Sequence, residues 1–488
     1  TSLKKRLKQY ITGRFDASSL ARDKNFAFVI GDEFDVFISS EDILNAYHDD
    51  IVKVEVRQGK RNRQYGVIIK IVERSRKEVV GTVHQYNGKT FLDPDNSRIH
   101  TSIDIADIKQ AVPGDKVVLS IKNWGSKEKY RLPIGDVKEI LGKAGDPEVE
   151  VLSVIKHFNL PLEFPEQVMA AVSETSDIIS EKEIGRRKDL RALNTITIDP
   201  ASAKDFDDAV SFEKTADGFE LFVHIADVAH YVPLDSPIFE EAFERGNSYY
   251  FPKRVIPMLP KRLSNDICSL RPREDKLTLT VYTKFDLDFN IVSNDIFQSV
   301  ICSDRRFSYE EVDAYFAGEE NDISSDIADI LDNLLELSQF LSEKRRKNGY
   351  LHFDLPETEY VFDDEGHVID LQRSKETDSH KLIENCMLIA NEYTAKLLSN
   401  HRTLYRIHEK PTDAKLLQLS ETMEKCNIKF ELGKSINKSL QKLLERLSGE
   451  NEHRVFDKMI LRSMQKARYD TKNLGHFGLA LKTYTHFT

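Results

Sequence analysis

Cysteine is scarce in this sequence, because its 488 residues contain only Cys268, Cys302, Cys386 and Cys426. They are far apart, which excludes a Cys-X-X-Cys zinc or redox site by spacing and argues against a disulfide framework. A chain without structural disulfides suits a reducing compartment. We therefore expect a cytoplasmic protein.

Long apolar runs are also absent. No segment approaches the roughly eighteen uninterrupted apolar residues of a membrane span. Residues 1–14 are basic but contain no apolar core of signal-peptide length. With 488 residues, 40% of them hydrophobic, the chain is expected to form about two to four domains with ordinary cores and to have no membrane partner.

An excess of basic residues is missing as well, since the net charge is −11. Phosphate contacts need Lys and Arg, so this value speaks weakly against a nucleic-acid partner. A protein of this size can nevertheless carry a basic channel under an acidic exterior. Charge alone leaves nucleic-acid binding open.

Short β-type runs broken by turns fill the region between residues 23 and 145. The runs are 26–30, 35–38, 51–56, 65–72, 79–83, 89–93, 98–103 and 116–121. Closely spaced short strands are typical of small antiparallel barrels. We predict a basic segment over residues 1–22, then two OB-like barrels over 23–78 and 79–145.

Aromatic and basic residues of the first barrel would suit single-strand binding. Phe26, Phe28 and Phe37 could stack on bases, and the stretch 57–63 could contact phosphates. The same phenylalanines could instead fill the barrel core. The sequence leaves both alternatives open.

The rest of the chain changes character. We predict a linker over residues 146–190 and a mixed α+β domain over 191–488. Helical periodicity indicates a helix over 327–347 that ends at Gly349. A second helix, over 380–399, is apolar around much of its circumference and is expected to be buried.

Four aspartates lie between two apolar runs of the mixed domain: Asp199, Asp205, Asp207 and Asp208. Carboxylates this close repel one another unless a cation lies among them. Oxygen ligands favour Mg²⁺ or Mn²⁺. A cation held by aspartates that keeps several waters suits phosphate chemistry.

Two other interpretations of this segment compete. A solvated acidic loop is one, although the flanking apolar runs favour a buried or cleft position. A Ca²⁺ loop of EF-hand type is the other. It fails because, counted from Asp199, Ala203 and Lys204 stand where an oxygen donor and a glycine are required.

The segment 198–209 resembles the catalytic signature of the RNase II/RNase R family, and further similarities follow in the family's order. They are 223–228, 231–232, 247–252, 257–260, 263–270, 382–391, 404–408 and 475–480. The resemblance covers nearly the whole chain. It implies two N-terminal all-β OB-like (cold-shock) barrels followed by a mixed α+β ribonuclease catalytic domain.

The resemblance also implies an activity, namely processive hydrolysis of single-stranded RNA from 3′ to 5′ by a monomer, releasing 5′-nucleoside monophosphates. Asp199 and Asp208 would bind Mg²⁺ directly, with Mn²⁺ possible, and Asp205 and Asp207 would complete the acidic site. Asp207 would be the residue most tied to cleavage.

Four further residues resemble substrate-binding positions of the family. Tyr250 and Phe353 resemble two rings that hold the last bases between them by sequence-independent stacking. Tyr309 and Glu384 resemble the pair that addresses the terminal ribose, where the 2′-hydroxyl distinguishes RNA from DNA. Without the family, Tyr250 could equally be a core residue.

Two motif residues and the end of the chain complete the predictions. His224 and Asp227 lie in a motif typical of a buried strand, so we expect structural roles for both.

After Thr488 the family continues into a Ser-Pro-Ile-Arg segment and a C-terminal RNA-binding domain. We therefore expect an incomplete catalytic domain with impaired turnover, because that arginine would stabilise charge at the phosphate.

Two hypotheses of different classes remain. The first is a hydrolase, and the second is a catalytically silent RNA-binding protein on the same scaffold. Retention of all four aspartates favours the enzyme. A third hypothesis, another two-metal exonuclease, fits less well because those enzymes scatter their acidic residues over separate motifs.

Overall fold

The computed structural model describes residues 9–22, 24–32, 34–59, 64–126, 131–252, 254–353, 358–363, 368–373, 376–448 and 453–488. The chain divides into two compact units, Thr1–Leu162 and Glu163–Thr488. Residues 1–8 of the predicted basic segment and residues 60–63 of the predicted basic stretch lie outside the described residues.

The first unit contains two closed five-stranded barrels, as the sequence predicts. The strands of the first barrel are β1 (Gln9–Asp16), β2 (Phe26–Ile30), β3 (Val36–Ser39), β4 (Ile51–Gln58) and β5 (Gln64–Glu73). The strands of the second are β6 (Glu78–Tyr86), β7 (Lys89–Pro94), β8 (Ile103–Asp107), β9 (Asp115–Asn123) and β10 (Ile134–Lys143). Their orders around the barrels are β1-β2-β3-β5-β4 and β10-β8-β7-β6-β9.

The first unit differs from the sequence prediction in its details. Strand β1 pairs with both β2 and β4, so the first barrel starts within the stretch assigned to a basic segment. The run 98–103 was predicted to be a strand, but strand β8 begins only at its last residue. The buried Ile99 belongs to a turn that precedes the strand. Helix α1 (Pro147–His157) occupies the start of the predicted linker and packs on the second barrel, where the Ser153 hydroxyl hydrogen-bonds to Asp95.

The second unit is built on a seven-stranded mixed sheet. Its strands are β11 (Lys188–Asp189), β12 (Ile196–Asp199), β13 (Asp208–Thr215), β14 (Gly218–Ala226), β17 (Asp275–Phe285), β18 (Ile291–Cys302) and β19 (Arg305–Ser308), in the order β11-β18-β17-β14-β13-β12-β19. Three two-stranded sheets are β15 (Tyr249–Phe251) with β16 (Arg254–Ile256), β20 (Thr358–Phe362) with β21 (Val368–Arg373), and β22 (Tyr405–Ile407) with β23 (Arg468–Asp470).

Helices cover both faces of this large sheet. The α-helices of the second unit are α2 (Glu166–Glu174), α3 (Glu181–Arg186), α4 (Val228–Tyr231), α5 (Pro237–Arg245), α6 (Tyr309–Phe316), α7 (Ser325–Asn348), α8 (Asp378–Leu397), α9 (Asp413–Lys425), α10 (Ile436–Leu447) and α11 (His453–Ser463). Val210 of β13 belongs to the core shared with α7 and α8, whereas its neighbour Ala209 packs with α2 on the opposite face. Because both faces are covered, β12 is buried along its whole length.

The two predicted long helices are present. Helix α7 buries the apolar face that the sequence indicates, and it ends at Gly349, whose φ of 98° suits glycine because it has no Cβ. Helix α8 buries residues around most of its circumference. In the described part of the chain, no helix combines the length and apolarity needed to cross a membrane.

Candidate active site

The four predicted aspartates lie together where two neighbouring strands meet. Asp199 is the last residue of β12 and Asp208 is the first residue of β13, while Asp205 and Asp207 lie in the connecting loop. Only 9% of Asp199 is exposed, and its Oδ2 is buried without a hydrogen-bond partner among the described residues. A buried carboxylate oxygen without a donor favours a bound cation.

The aspartate pKa values show how closely these charges act on one another. Burial raises the pKa of Asp208 to about 7, and the charges of Asp199 and Asp207 raise it further. Burial and the Asp205 charge raise the pKa of Asp207 to about 6, although part of this side chain reaches solvent. Burial also raises the pKa of Asp199 to about 6, with the Thr197 hydroxyl and then Arg306 opposing the effect.

Arg306 supports the start of the aspartate loop. Its Nη2 donates hydrogen bonds to the carbonyl oxygens of Pro200 at 2.7 Å and Ala201 at 3.1 Å. The guanidinium also lies over the Phe206 ring, 5.5 Å from its centroid. This role of Arg306 has no signal in the sequence, because nothing in the local pattern connects β19 with this loop.

Tyr309 is brought beside the aspartates by a helix cap. Ser308 pairs with Asp199 across β19 and β12, and the same serine forms a capping box with Glu311 that starts α6. The pKa of Tyr309 is raised to about 12 by burial and by the Asp208 and Asp199 charges, so its hydroxyl remains a donor at neutral pH.

Tyr250 lies on the aspartate side of the β15–β16 hairpin. Burial and the charges of Asp205 and Asp207 raise the pKa of its hydroxyl. The residue is 70% exposed, so the alternative that it is a core residue is wrong. An exposed ring beside carboxylates is free to receive a base.

Phe353 and Glu384 lie in other surroundings. Phe353 packs against an apolar cluster that includes Leu351 and Met423. Glu384 lines a cavity of ≈ 550 Å³ bordered by α7, α8 and α10, where it accepts a 3.4 Å hydrogen bond from the Tyr350 hydroxyl. The strand pairing and the electrostatic contacts therefore join six of the eight predicted site residues, whereas the contacts of Phe353 and Glu384 are with other residues.

The aspartates can accommodate a cation without forming a complete cage. Among the described residues, no three His, Cys, Asp or Glu side chains form a ready-made metal site. Mg²⁺ does not require one, because it keeps several waters and usually takes one or two carboxylates together with substrate phosphates. Raised aspartate pKa values and the unpartnered Asp199 oxygen fit such an ion.

His224 and Asp227 have structural contacts, as expected from their motif. The His224 ring is fully buried, and its nitrogens contact the hydroxyls of Ser211 at 3.0 Å and Thr280 at 2.8 Å. Burial lowers its pKa to about 3, so the ring is neutral. Asp227 is paired with the buried guanidinium of Arg187 at 2.7 Å.

The aromatic residues of the first barrel form a second candidate surface. Along β2 and β3, Ala27 and Ile38 are buried while Phe26, Phe28 and Phe37 point outward. The three rings contact one another with centroids 5.4–6.0 Å apart. Their assignment to the barrel core is therefore wrong, and they form an outer aromatic patch.

Comparison with known proteins extends these observations. The RNB domain family matches residues 187–488, a cold shock domain family matches residues 91–165, and the Ribonuclease B OB domain family matches residues 20–71. Ribonuclease R of Thermotoga maritima is 38% identical over 473 residues, which cover 95% of this chain and 66% of that relative. The chain thus spans slightly less than two thirds of that relative's length.

Two solved structures share the fold. Mycoplasma genitalium RNase R in complex with ribose methylated single-stranded RNA matches with a TM-score of 0.88 at 27% identity, covering 98% of this chain and 76% of that one. Yeast Ssd1, a pseudonuclease, matches with a TM-score of 0.70 at 18% identity, covering 98% and 66%, a likeness that shows the fold alone. Since the RNB match covers more than half of the sequence, the chain belongs to the RNB family, the family of RNase II and RNase R.

Proposed function

We propose that the protein is an exoribonuclease that hydrolyses single-stranded RNA processively from 3′ to 5′ and releases 5′-nucleoside monophosphates. Family membership supports the reaction class, and the M. genitalium relative was solved with single-stranded RNA. The observation that carries the proposal is the group of four aspartates at adjoining strand ends, in which burial and neighbouring carboxylates raise the pKa values of Asp199, Asp207 and Asp208.

The proposed cofactor is Mg²⁺, with Mn²⁺ as the alternative. Asp199 and Asp208 would bind it directly, and Asp205 and Asp207 would complete the acidic site. When bound, the ion would neutralise charge on the phosphate and lower the pKa of the attacking water. RNB nucleases generally depend on a divalent metal, which agrees with this donor set.

Four other side chains would bind the substrate. Tyr250 would present its exposed ring to the last bases, and Phe353 would provide the opposing ring. Tyr309, as a protonated donor beside Asp208, and Glu384 would address the ribose hydroxyl. The outer aromatic patch of the first barrel would hold single-stranded RNA by stacking. We further propose a cytoplasmic monomer.

The alternative is a catalytically silent RNA-binding protein. The likeness to a pseudonuclease shows that this fold also occurs without nuclease activity. An acidic pocket, however, repels phosphate unless a cation is bound. A protein that only binds RNA would gain nothing from keeping four aspartates together, three of them with raised pKa values.

Asp207→Asn in the complete protein tests the proposal, because it removes one charge and keeps the side-chain size. We expect Mg²⁺-dependent cleavage of 3′-tailed single-stranded RNA to be lost while RNA binding in EDTA stays within about twofold. Asp235→Asn, at an exposed loop position, is the matched control and should cleave normally. A wild-type rate for Asp207→Asn would refute the site assignment.

A further inference from the structure

The buried Ser269 hydroxyl, which lies outside the loop that carries Asp205 and Asp207, hydrogen-bonds to the backbone of this loop. Ser269 is fully buried and follows the π-helical turn Leu263–Ile267. Its Oγ accepts a 3.0 Å hydrogen bond from the Phe206 amide and donates one of 3.0 Å to the Lys204 carbonyl. A single hydroxyl therefore satisfies both a donor and an acceptor of the loop backbone.

The chain around Ser269 strengthens this attachment. The amide of Leu270 donates to the Phe206 carbonyl at 2.9 Å, so two consecutive residues hold the same loop position. The carbonyl of the next loop residue, Asp207, accepts from the Ala226 amide at 3.0 Å. Asp205 lies between the two backbone groups that bind Ser269, so its backbone is restrained on both sides.

The geometry of the loop shows why such an attachment is needed. Repulsion among the four carboxylates favours loop conformations that separate them. The hydrogen bonds of Arg306 restrain only the first residues, Pro200 and Ala201. Without the Ser269 contacts on either side of Asp205, the loop is held near its middle only by weaker or more distant contacts, so the repulsion would move the Asp205 and Asp207 carboxylates away from Asp199.

We propose that Ser269 is a positioning residue that holds the Asp205 and Asp207 carboxylates in place for the cation at Asp199 and Asp208. It acts on the reaction only through the loop backbone, since its hydroxyl is used in the two loop contacts. This inference rests on the proposed metal-dependent function and identifies what keeps the acidic site assembled.

The test is direct measurement of Mn²⁺ binding by electron paramagnetic resonance on the complete protein, with RNA binding measured separately in EDTA. Removing an outer partner of metal ligands typically lowers metal affinity about 10- to 100-fold. We expect Ser269→Ala to weaken Mn²⁺ binding by about this factor, with RNA affinity in EDTA unchanged within about twofold. Ser463→Ala is the control, because that buried hydroxyl donates only to Ile460 of its own helix.

A second variant separates positioning from folding. Ser269→Cys fills the same space with a weakly hydrogen-bonding thiol, so its Mn²⁺ affinity should fall between those of wild type and Ser269→Ala. In an Asp205→Asn background, Ser269→Ala should cause a smaller additional loss. Wild-type Mn²⁺ affinity in both Ser269 variants, or losses that only follow the unfolded fraction, would overturn the inference.

Failure of the inference and failure of the proposed function give different results. If Asp199→Asn weakens Mn²⁺ binding and the Ser269 variants do not, the metal site stands and only the positioning role is lost. If neither Asp199→Asn nor Asp208→Asn changes Mn²⁺ binding, the proposed function itself fails at this site.

Discussion

Two groups of carboxylates in the second unit have raised pKa values for different reasons. In the aspartate group, Asp208 is buried against the negative charges of Asp199 and Asp207. In the cavity beside α8, burial and the Glu376 charge raise the pKa of Glu384, but Arg345 and the Tyr350 hydroxyl oppose the rise. Among the charges of the described residues that act on Asp207 and Asp208, none is positive, and Arg306 acts only on Asp199, whereas Glu384 has Arg345 as its counter-charge.

This difference separates a metal site from a hydrogen-bonding site. Negative charges that face one another are stable together only when protonated or when a cation joins them. A carboxylate with an arginine and a phenol nearby can instead exchange those partners for a substrate hydroxyl. A raised pKa alone would not distinguish the two, because burial is the largest cause in both.

Neutralising one carboxylate in each group tests most directly whether the two groups contribute differently to cleavage. Asp199→Asn should lower the cleavage rate by about 100-fold or more, a loss of the size found when a group stabilising transition-state charge is removed. Glu384→Gln should cost about two- to tenfold, the worth of one ordinary hydrogen bond. Single-turnover cleavage of a 3′-tailed RNA measures both.

The Glu384→Gln loss should also depend on the sugar. If Glu384 contacts the terminal ribose, the variant should lose more on RNA than on the same RNA ending in a 2′-deoxynucleotide, while Asp199→Asn should lose equally on both. If the two variants lose equal activity on both substrates, Glu384 acts with the metal-binding aspartates and not on the ribose, and the proposed difference between the two groups is wrong.

The parts of the aspartate site that could be predicted from the sequence are those whose residues lie close together along the chain. The aspartate group is a local signal, because Asp199 and Asp208 are nine positions apart on strands that adjoin. Its supports are not local, since Ser269 lies 63 and 65 positions from the backbone groups it holds. The motif containing Ser269 is visible in the sequence, but its contact with the loop requires the fold.

The strands of the first barrel also show that local sequence patterns were predictable and long-range pairing was not. The predicted runs found strands with continuous apolar sequences, such as β2 and β3, in which buried and more exposed residues alternate. Strand β1 was missed because Phe15 is its only fully buried residue and the other less exposed positions are Ile11, Gly13 and Asp16, so its apolar signal is weak. It belongs to the barrel through pairing with β2 and β4, which no local pattern reveals.

The pH dependence of stability sharpens the comparison further. Folding raises the pKa of Asp208 from 3.8 to about 7. The metal-free folded state therefore holds a proton that the unfolded chain releases, and this contribution to stability is complete below pH 4 and is lost as pH rises through 7. In EDTA, the Tm of wild type should fall by about a few degrees relative to Asp208→Asn between pH 5 and pH 8.

Added Mg²⁺ should reverse this trend. Cation binding requires ionised carboxylates, so the Mg²⁺-induced rise in Tm should be larger at pH 8 than at pH 5.5 and absent in Asp208→Asn. Glu384→Gln, as the matched carboxylate with its own counter-charge, should keep the Mg²⁺ effect. A Mg²⁺-induced Tm shift that is the same at both pH values would contradict the metal assignment.

The smallest expected effect concerns the first barrel, whose aromatic patch is chemically the opposite of the acidic site. Stacking on an exposed ring is worth about 1–3 kcal/mol per base where it is fully used, and Phe37 is 40% exposed with Phe26 stacked beside it at 5.4 Å. Phe37→Ala should weaken binding of long single-stranded RNA by about fivefold, measured by fluorescence anisotropy in EDTA. Tyr86→Ala, which removes a more exposed ring from β6 of the second barrel, should have less effect if the cluster of three rings matters rather than exposure alone. If Phe37→Ala and Tyr86→Ala weaken RNA binding equally, the exposure of a single ring explains the loss, and the cluster of three rings has no special role.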